Sequence, residues 1–198
     1  IFVEKSAISD IAQDFIYRIH LNNAMYFDQY INKEIDIVKS CLTDNTVRFE
    51  FVKGETLQSI CLDFLRSKNI DGVVSLINEF FSKYYEFLPN ESILKKEFTW
   101  QNKTYELDEA ATFSSRCINI DLDLANIIRF DEKYIIIDTE WIFDGYELPI
   151  EFCIFRTVNN FYVKNYKYLK CLGITLEDFY QKTGIASNLN IYTMIEKD

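Results

Sequence analysis

Apolar and polar residues along this chain recur with the spacings of short strands and of amphipathic helices. The segments in which apolar and polar residues alternate, which predict strands, are 1–8, 35–38 and 47–52. The segments with apolar residues three and four apart, which predict helices, are 10–30, 57–65, 72–85, the stretch after Pro149, 176–181 and 190–195. Helical and extended segments alternate, and we therefore expect a fold of the α+β class.

Some of these segments also predict which side chains are buried. The first helix is expected to bury a stripe made of Ile11, Phe15, Ile19, Ala24, Phe27 and Ile31. The helix after Pro149 is expected to bury Phe152, Phe155, Val158, Phe161 and Tyr162. A small hairpin is predicted over residues 97–107, and Trp141 is expected in the core.

The stretch from Cys117 to Phe143 carries the candidate chemistry. Two apolar strands flank the polar turn 131–133, and this hairpin brings Asn126 and Asp138 to the same end, with Asp121 on the preceding loop. Mg²⁺ prefers oxygen ligands together with substrate phosphates. The spacing therefore indicates a phosphoryl-transfer site, in which one Asp orients an acceptor hydroxyl and the Asn and second Asp hold the metal. Acidic turns on a solvated surface would give the same pattern, and that alternative stays open.

Composition narrows the class of partner. The 198 residues carry 31 Asp and Glu against 21 Lys and Arg, a formal net charge of −10, which argues against a nucleic-acid partner. The five cysteines are scattered without a C-x-x-C pair, as expected for reduced thiols in a cytosolic protein. No run is long and apolar enough to predict a transmembrane helix. Because the chain starts at Ile1 inside an apolar run, we expect it to be a piece of a longer protein.

Three segments resemble protein-kinase-like folds. RFEFVKGETL at 48–57 is similar to the hinge between the two lobes of that fold. IDLDLAN at 120–126 is similar to the catalytic loop of small-molecule phosphotransferases, and IIIDTEW at 135–141 to their metal-binding strand end. The nearest resemblance is to the kinase-like domain of bacterial O-antigen chain-terminating methyltransferase-kinases.

The resemblance implies a division of the chain into two lobes. Residues 1–52 would form a truncated small β lobe, with a hinge at 49–54. Residues 53–198 would form a largely helical C-terminal lobe with a catalytic loop at 119–126 and a metal-binding segment at 138–141.

The resemblance also assigns roles to individual residues. Asp121 would be the catalytic residue, and Asn126 and Asp138 would bind Mg²⁺. The residues implied in ATP binding are Lys5 at the phosphates, Phe49 at the back of the adenine pocket, and Glu50 and Val52 through their backbone C=O and N–H groups.

The function implied is transfer of the ATP γ-phosphate to a hydroxyl of a sugar or other small molecule, in bacterial surface-polysaccharide synthesis. Such a domain would act in the cytoplasm or at the inner face of the membrane. It would be fused to, or partnered with, methyltransferase or glycosyltransferase domains.

Three departures from the family pattern support other readings. The chain has no Gly-rich phosphate loop, its first helix offers only Asp10 and Asp14 as partners for Lys5, and Asn119-Ile120 precedes Asp121 in place of the usual lead-in. One alternative is a catalytically degenerate kinase-like scaffold within a larger glycan-assembly protein. Another is an α+β interaction domain whose acids are solvated turns.

The roles of two further charged residues have two alternatives each. Glu140 is either a third acid at the metal site or a surface charge. Arg156 either pairs with a loop carboxylate such as Asp121 or Glu140, or lies in water at the edge of its helix.

Overall fold

A computed structural model describes residues 1–29, 34–87, 93–114, 118–143 and 147–197, and its architecture is α+β, as predicted. The strands are β1 (Phe2–Ser6), β2 (Ile35–Ile37), β3 (Ser40–Thr43), β4 (Thr46–Glu50), β5 (Glu55–Thr56), β6 (Ile93–Trp100), β7 (Lys103–Ser114), β8 (Ile118–Asn119), β9 (Ile127–Phe130), β10 (Lys133–Ile136), β11 (Ile142–Phe143) and β12 (Leu148–Pro149). The helices are α1 (Asp10–Gln29), α2 (Leu57–Arg66), α3 (Ile70–Phe87), α4 (Ile150–Lys164), α5 (Tyr166–Cys171), α6 (Leu176–Lys182) and α7 (Leu189–Ile195).

The N-terminal part of the chain forms a small antiparallel sheet in the order β1-β4-β3. Strand β1 lies antiparallel to β4, and Lys5 is opposite Val47. Helix α1 contacts β3 and β4. A small hydrophobic core fills the space between helix and sheet, and its members are Ile16, Ile19, Val38, Val47 and Phe49.

The buried face of α1 differs from the predicted stripe. Ile11 is 90% exposed and Phe15 is 47% exposed. The buried residues of the helix are Ile16, Ile19, Asn23 and Tyr26. This series keeps helical spacing, but a search for apolar residues misses it because Asn23 is polar and is buried with its amide hydrogen-bonded. Tyr30 and Ile31, at the predicted end of this helix, lie outside the described residues.

The predicted central hairpin is confirmed and belongs to a second sheet, ordered β2-β10-β9-β5. Strands β9 and β10 are antiparallel and joined by a turn at Asp131, whose φ is 54°. Ile136 lies opposite Ile127, and β2 pairs in parallel with β10. This register places Asn126, which precedes β9, beside Ile137 and Asp138, which follow β10.

The predicted hairpin around residues 97–107 is longer than expected. Strands β6 and β7 are joined at Gln101 and Asn102, which both have positive φ, the backbone twist that two-residue hairpin turns favour. Only one face of this hairpin is buried, so polar residues occur along both strands. The apolar pattern therefore predicted strands that are too short. Its inward side chains are Phe98, Trp100, Tyr105 and Leu107.

Helix α4 lies in the larger of the two hydrophobic cores. The predicted apolar face is confirmed, and its buried members are Phe152, Phe155, Val158, Phe161 and Tyr162. Pro149 is the N-cap residue of this helix and ends β12. Thr56 caps α2 by accepting a hydrogen bond from the Ser59 N–H at 3.1 Å.

The larger core also receives residues from the N-terminal segment. Tyr26, Ile35 and Ile37 belong to it, although they precede the predicted lobe boundary at residue 52. Trp141 does not: its side chain is 54% exposed, so its prediction as core is wrong. The next residue, Ile142, takes the buried position because successive side chains of an extended segment point to opposite sides. None of the helices in the described ranges has the length and apolar character required to cross a membrane.

Candidate functional site

The end of the central hairpin holds Asn126 in a tight local turn. Asp123 caps the short 3-10 turn Leu124–Asn126 by accepting the Ala125 N–H at 3.0 Å. The Asn126 N–H donates to the Asp123 carbonyl at 2.8 Å, and the Asn126 carbonyl accepts from the Ile137 N–H at 2.9 Å. The backbone of Asn126 is therefore fixed directly beside the residue that precedes Asp138.

Asn119 connects the Asp121 loop to the Asp138 segment. Its side chain is fully buried, and its amide nitrogen donates to the Asp138 carbonyl at 3.0 Å. Its amide oxygen accepts the Asp121 N–H at 3.0 Å. The side-chain amide of Asn126 reaches the Asp121 carbonyl at 3.5 Å. The structure thus brings Asp121, Asn126 and Asp138 together, and Asn119, which the sequence singled out only as a departure, orders them.

The carboxylate of Asp121 has neither a hydrogen bond nor an ion pair among the residues that the structure describes. Burial raises the pKa of Asp121 above its usual range; Arg156 opposes this shift, and the charges of Asp123 and Asp138 add to it. The site therefore carries negative charge that a bound cation would compensate.

Asp138 is also partly buried, and its two oxygens differ in their surroundings. Oδ1 accepts the Glu140 N–H at 3.1 Å, and Oδ2 lies 3.8 Å from Lys5 Nζ. Burial raises the pKa of Asp138, while Lys5 and the Thr139 N–H oppose the shift.

Lys5 reaches the site from β1 and forms its closest ion pair with Glu140. The Glu140 carbonyl accepts from the Asn22 amide of α1 at 3.3 Å. Asp10 and Asp14, the two acids in the first half of α1, are exposed and make no ion pair within the described ranges. The Glu140 side chain is partly buried beside Lys5 and Asp138, and its role as a third acid at the metal site stays a prediction.

A small cleft of about 140 Å³ opens beside Lys5. The residues that line it are Val3, Lys5, Val38, Phe49, Glu50, Phe51, Val52, Ile128 and Ile137. Lys5 Nζ lies 5.9 Å from the centroid of the Phe49 ring. The backbone N–H of Val52 has no hydrogen-bond partner in the described part of the chain. All four residues predicted to contact the nucleotide therefore line one mainly apolar cleft.

Arg156 contacts the Asp121 loop through its backbone and not through a carboxylate. Its Nη1 donates to the Ile120 carbonyl at 2.9 Å, and its Nε lies 2.8 Å from Glu196 Oε2. The suggested pairing with Asp121 or Glu140 is therefore wrong, because Glu196, the residue that follows α7, supplies the carboxylate. Lys164 pairs with Asp123 at 2.5 Å, which positions the loop from the other side.

The side-chain oxygen atoms of Asp138 and Asn126 suit a hard cation whose coordination shell is completed by the oxygen atoms of a bound phosphate. Within the described ranges no group of three or more Asp, Glu, His or Cys side chains is arranged to hold a metal ion. Asp138 offers a carboxylate and Asn126 an amide oxygen that makes no hydrogen bond to other described residues. This pair, together with phosphate oxygens, is a ligand set that Mg²⁺ accepts.

Comparison of the sequence with protein-family models gives no matching family, and comparison with curated proteins gives no match.

Proposed function

We propose that this chain is a protein-kinase-like domain that transfers the γ-phosphate of ATP to a hydroxyl group of a sugar or another small molecule. The observation that carries the proposal is the meeting of Asp121, Asn126 and Asp138 at one end of the hairpin, beside the cleft that contains Lys5. The order β1-β4-β3 followed by the crossover at 51–54 supports the same fold assignment.

The adenine ring would occupy the cleft. Val38, Ile128 and Ile137 offer apolar contacts to its faces. The Val52 N–H, which has no partner among the described residues, and the Glu50 carbonyl would meet its polar edge, while Phe49 would close the back. Lys5 would then reach the phosphates, since it lies between this cleft and Asp138.

Asp121 would orient the acceptor hydroxyl and take its proton as the hydroxyl oxygen bonds to the γ-phosphorus. The bond from that phosphorus to the β-phosphate oxygen breaks, and ADP leaves with the electron pair. Asn126 and Asp138 would hold Mg²⁺, which supplies charge neutralisation at the phosphates when bound. Such positioning and charge compensation provide most of the catalysis in phosphoryl transfer.

The acceptor class and cellular setting follow from the resemblance of the three segments. A glycan hydroxyl, a place in bacterial surface-polysaccharide synthesis at the cytoplasmic side of the membrane, and fused or partnered methyltransferase or glycosyltransferase domains belong to the proposal. The acidic net charge of −10 is compatible with a small neutral acceptor.

Thermal unfolding with ATP and Mg²⁺ tests nucleotide binding directly. A ligand that binds the native state raises its stability, by about 2.7 kcal/mol at one hundred times the dissociation constant. We expect this stabilisation to require Mg²⁺, to disappear in Asp138→Asn, and to persist in Asp63→Asn, an exposed aspartate of α2 paired with Arg66. Equal stabilisation of both variants would exclude a role for Asp138 in holding the metal–nucleotide.

A catalytically degenerate scaffold is the second candidate, and the lack of a Gly-rich phosphate loop in the sequence favours it. Transfer of radiolabelled phosphate from ATP to a panel of neutral hexoses and oligosaccharides separates the two. The kinase predicts transfer that Asp121→Asn abolishes while the ATP-dependent stabilisation remains. Nucleotide binding with no transfer to any acceptor of the panel would favour the scaffold.

A further inference from the structure

Helix α1 contacts the segment that follows β10 through two successive asparagines. The Asn23 amide donates to the Thr139 hydroxyl at 3.2 Å, and the Asn22 amide donates to the Glu140 carbonyl at 3.3 Å. The partners lie 116 and 118 residues further along the chain. Both contacts are made to the residues directly after Asp138, and the proposed reaction as described so far gives neither asparagine a role.

Asn23 and Thr139 are polar residues in a buried position, each with only 1% of its surface exposed. The buried series of α1 to which the asparagine belongs is Ile16, Ile19, Asn23 and Tyr26. An apolar side chain would fill the same position without the cost of burying an amide, which is tolerated only when it is hydrogen-bonded. A buried residue that departs from the pattern of its helix is expected where function requires it.

The Asn23 amide joins two parts of the chain. Besides the Thr139 hydroxyl, it donates to the Val38 carbonyl at 2.9 Å. Val38 follows β2 and is itself fixed to β10, because its N–H donates to the Ile136 carbonyl at 2.9 Å. One amide therefore holds the segment after β10 against the end of the neighbouring strand, which an apolar side chain at this position could not do.

The orientation of the Asp138 carboxylate depends on the residues that follow it. The segment lies between β10 and β11, and Asp138 Oδ1 accepts the Glu140 N–H at 3.1 Å. Thr139 is the residue between these two groups, and its side chain is anchored to α1 by Asn23. Without that anchor, the Glu140 N–H would be free to move away from the carboxylate.

We propose that Asn23 and Thr139 are positioning residues for the metal site, and that their buried hydrogen bond orients the Asp138 carboxylate towards Mg²⁺. This inference rests on the proposed phosphoryl transfer, which identifies Asp138 as a metal ligand. Neither positioning residue is one of the described residues that line the cleft beside Lys5, and both are buried. They therefore act on the metal–nucleotide through Asp138 and not by contact.

Thr139→Val and Thr139→Ser test this role by calorimetric titration with ATP, once with Mg²⁺ and once with EDTA. Valine removes the hydroxyl and leaves Asn23 bonded to the Val38 carbonyl, whereas serine keeps the hydroxyl and loses a methyl group. We expect Thr139→Val to weaken the binding of ATP with Mg²⁺ by about tenfold and to leave the binding in EDTA unchanged. Thr139→Ser should bind as the wild type does. Equal losses in the two variants, or equal losses with and without the metal, would overturn the positioning role, because a purely structural effect would produce them.

An Asn23→Ala background tests whether Thr139 acts through α1. The hydrogen bond is already absent there, so adding Thr139→Val should weaken the binding of ATP with Mg²⁺ by less than about twofold. A further loss as large as in the wild-type background would overturn the link between the two residues.

Hydrogen exchange of the Glu140 amide in the nucleotide-free protein tests the link without any ligand. We expect this amide, which binds Asp138 Oδ1, to exchange several-fold faster in Thr139→Val than in the wild type or Thr139→Ser, while the amides of α6 are unchanged. Unchanged exchange at Glu140 in Thr139→Val would overturn the inference, whatever the nucleotide does. Faster exchange in that variant, together with a wild type that binds no ATP with Mg²⁺, would support the link to Asp138 and refute the proposed phosphoryl transfer.

Discussion

At the scale of single residues, the partner of Lys5 distinguishes this chain from the pattern it resembles. The resemblance places that partner on the first helix, whereas here Glu140, two residues after Asp138, contacts Lys5. Asn22 of α1 binds the Glu140 carbonyl, so the helix contributes to the pair indirectly. The lysine is thereby fixed to the same segment that carries the proposed metal ligand.

Glu140→Gln is predicted to affect nucleotide binding more than folding. The Lys5–Glu140 pair is partly exposed, and such pairs contribute only about 0–1 kcal/mol to the free energy of unfolding. Without the pair, Lys5 would lose its position towards the phosphates, and we expect the affinity for ATP with Mg²⁺ to fall several-fold. Calorimetric titration and urea unfolding measure the two quantities, with Glu177→Gln on the exposed side of α6 as control. A large loss of stability with unchanged ATP affinity would show that Glu140 has a structural role only.

The site residues divide into those that local sequence predicts and those that it does not. Asp121, Asn126 and Asp138 were predicted because a hairpin of known register determines which of its ends they share. Asn119 and Glu196 were not. The Asp138 carbonyl that binds Asn119 lies 19 residues along the chain, Arg156 lies even farther from Glu196, and only tertiary packing brings these groups together. Trp141 was predicted as core from its size, but the alternation of the segment turns it outward.

At the scale of elements, the crossover between the two sheets depends on Gly54. Its φ is 135°, and a Cβ atom there would lie 2.4 Å from the Arg129 carbonyl oxygen of β9. The close approach allows β5 to pair with β9 directly after the crossover. The close contact of Gly54 with β9 depends on the tertiary structure and cannot be predicted from the local sequence.

Gly54→Ala is predicted to destabilise the fold and to weaken nucleotide binding, because β9 and the cleft residue Ile128 would have to move. Gly173→Ala is the matched control: its φ of 73° is also positive, but no atom lies within 4 Å of the added Cβ. In this control the added Cβ causes only backbone strain, which lowers the free energy of unfolding by about 1 kcal/mol. Urea unfolding should therefore show a larger loss for Gly54→Ala, and only that variant should lose ATP-dependent stabilisation. Equal effects of the two substitutions would exclude the contact with β9 as the cause.

At the scale of the whole molecule, the cleft lies between the two sheets, beside the smaller of the two hydrophobic cores. The smaller core contains Val38 and Phe49, and Ile137 packs against it. Val3 of β1 and Ile128 of β9 also line the cleft, so its walls come from both sheets. The α+β class and most elements follow from periodicity, whereas the separation into two cores follows from long-range contacts that periodicity does not contain.

Hydrogen exchange is predicted to follow this division. Few buried residues support the sheet β1-β4-β3, and β1 exposes Phe2 and Val3, so its amides should exchange faster than those of α4, which lies in the larger core. ATP with Mg²⁺ should slow exchange in β1, β4 and residues 137–140 together, because a ligand bound in a cleft walled by both sheets opposes the opening of either wall. Helix α6 contributes nothing to the cleft and should be unaffected. Uniform protection of all helices and strands would contradict a ligand bound at this cleft, and protection confined to α3, β7 and α4 would place the nucleotide in the cavity lined by Tyr85, Glu109 and Glu151.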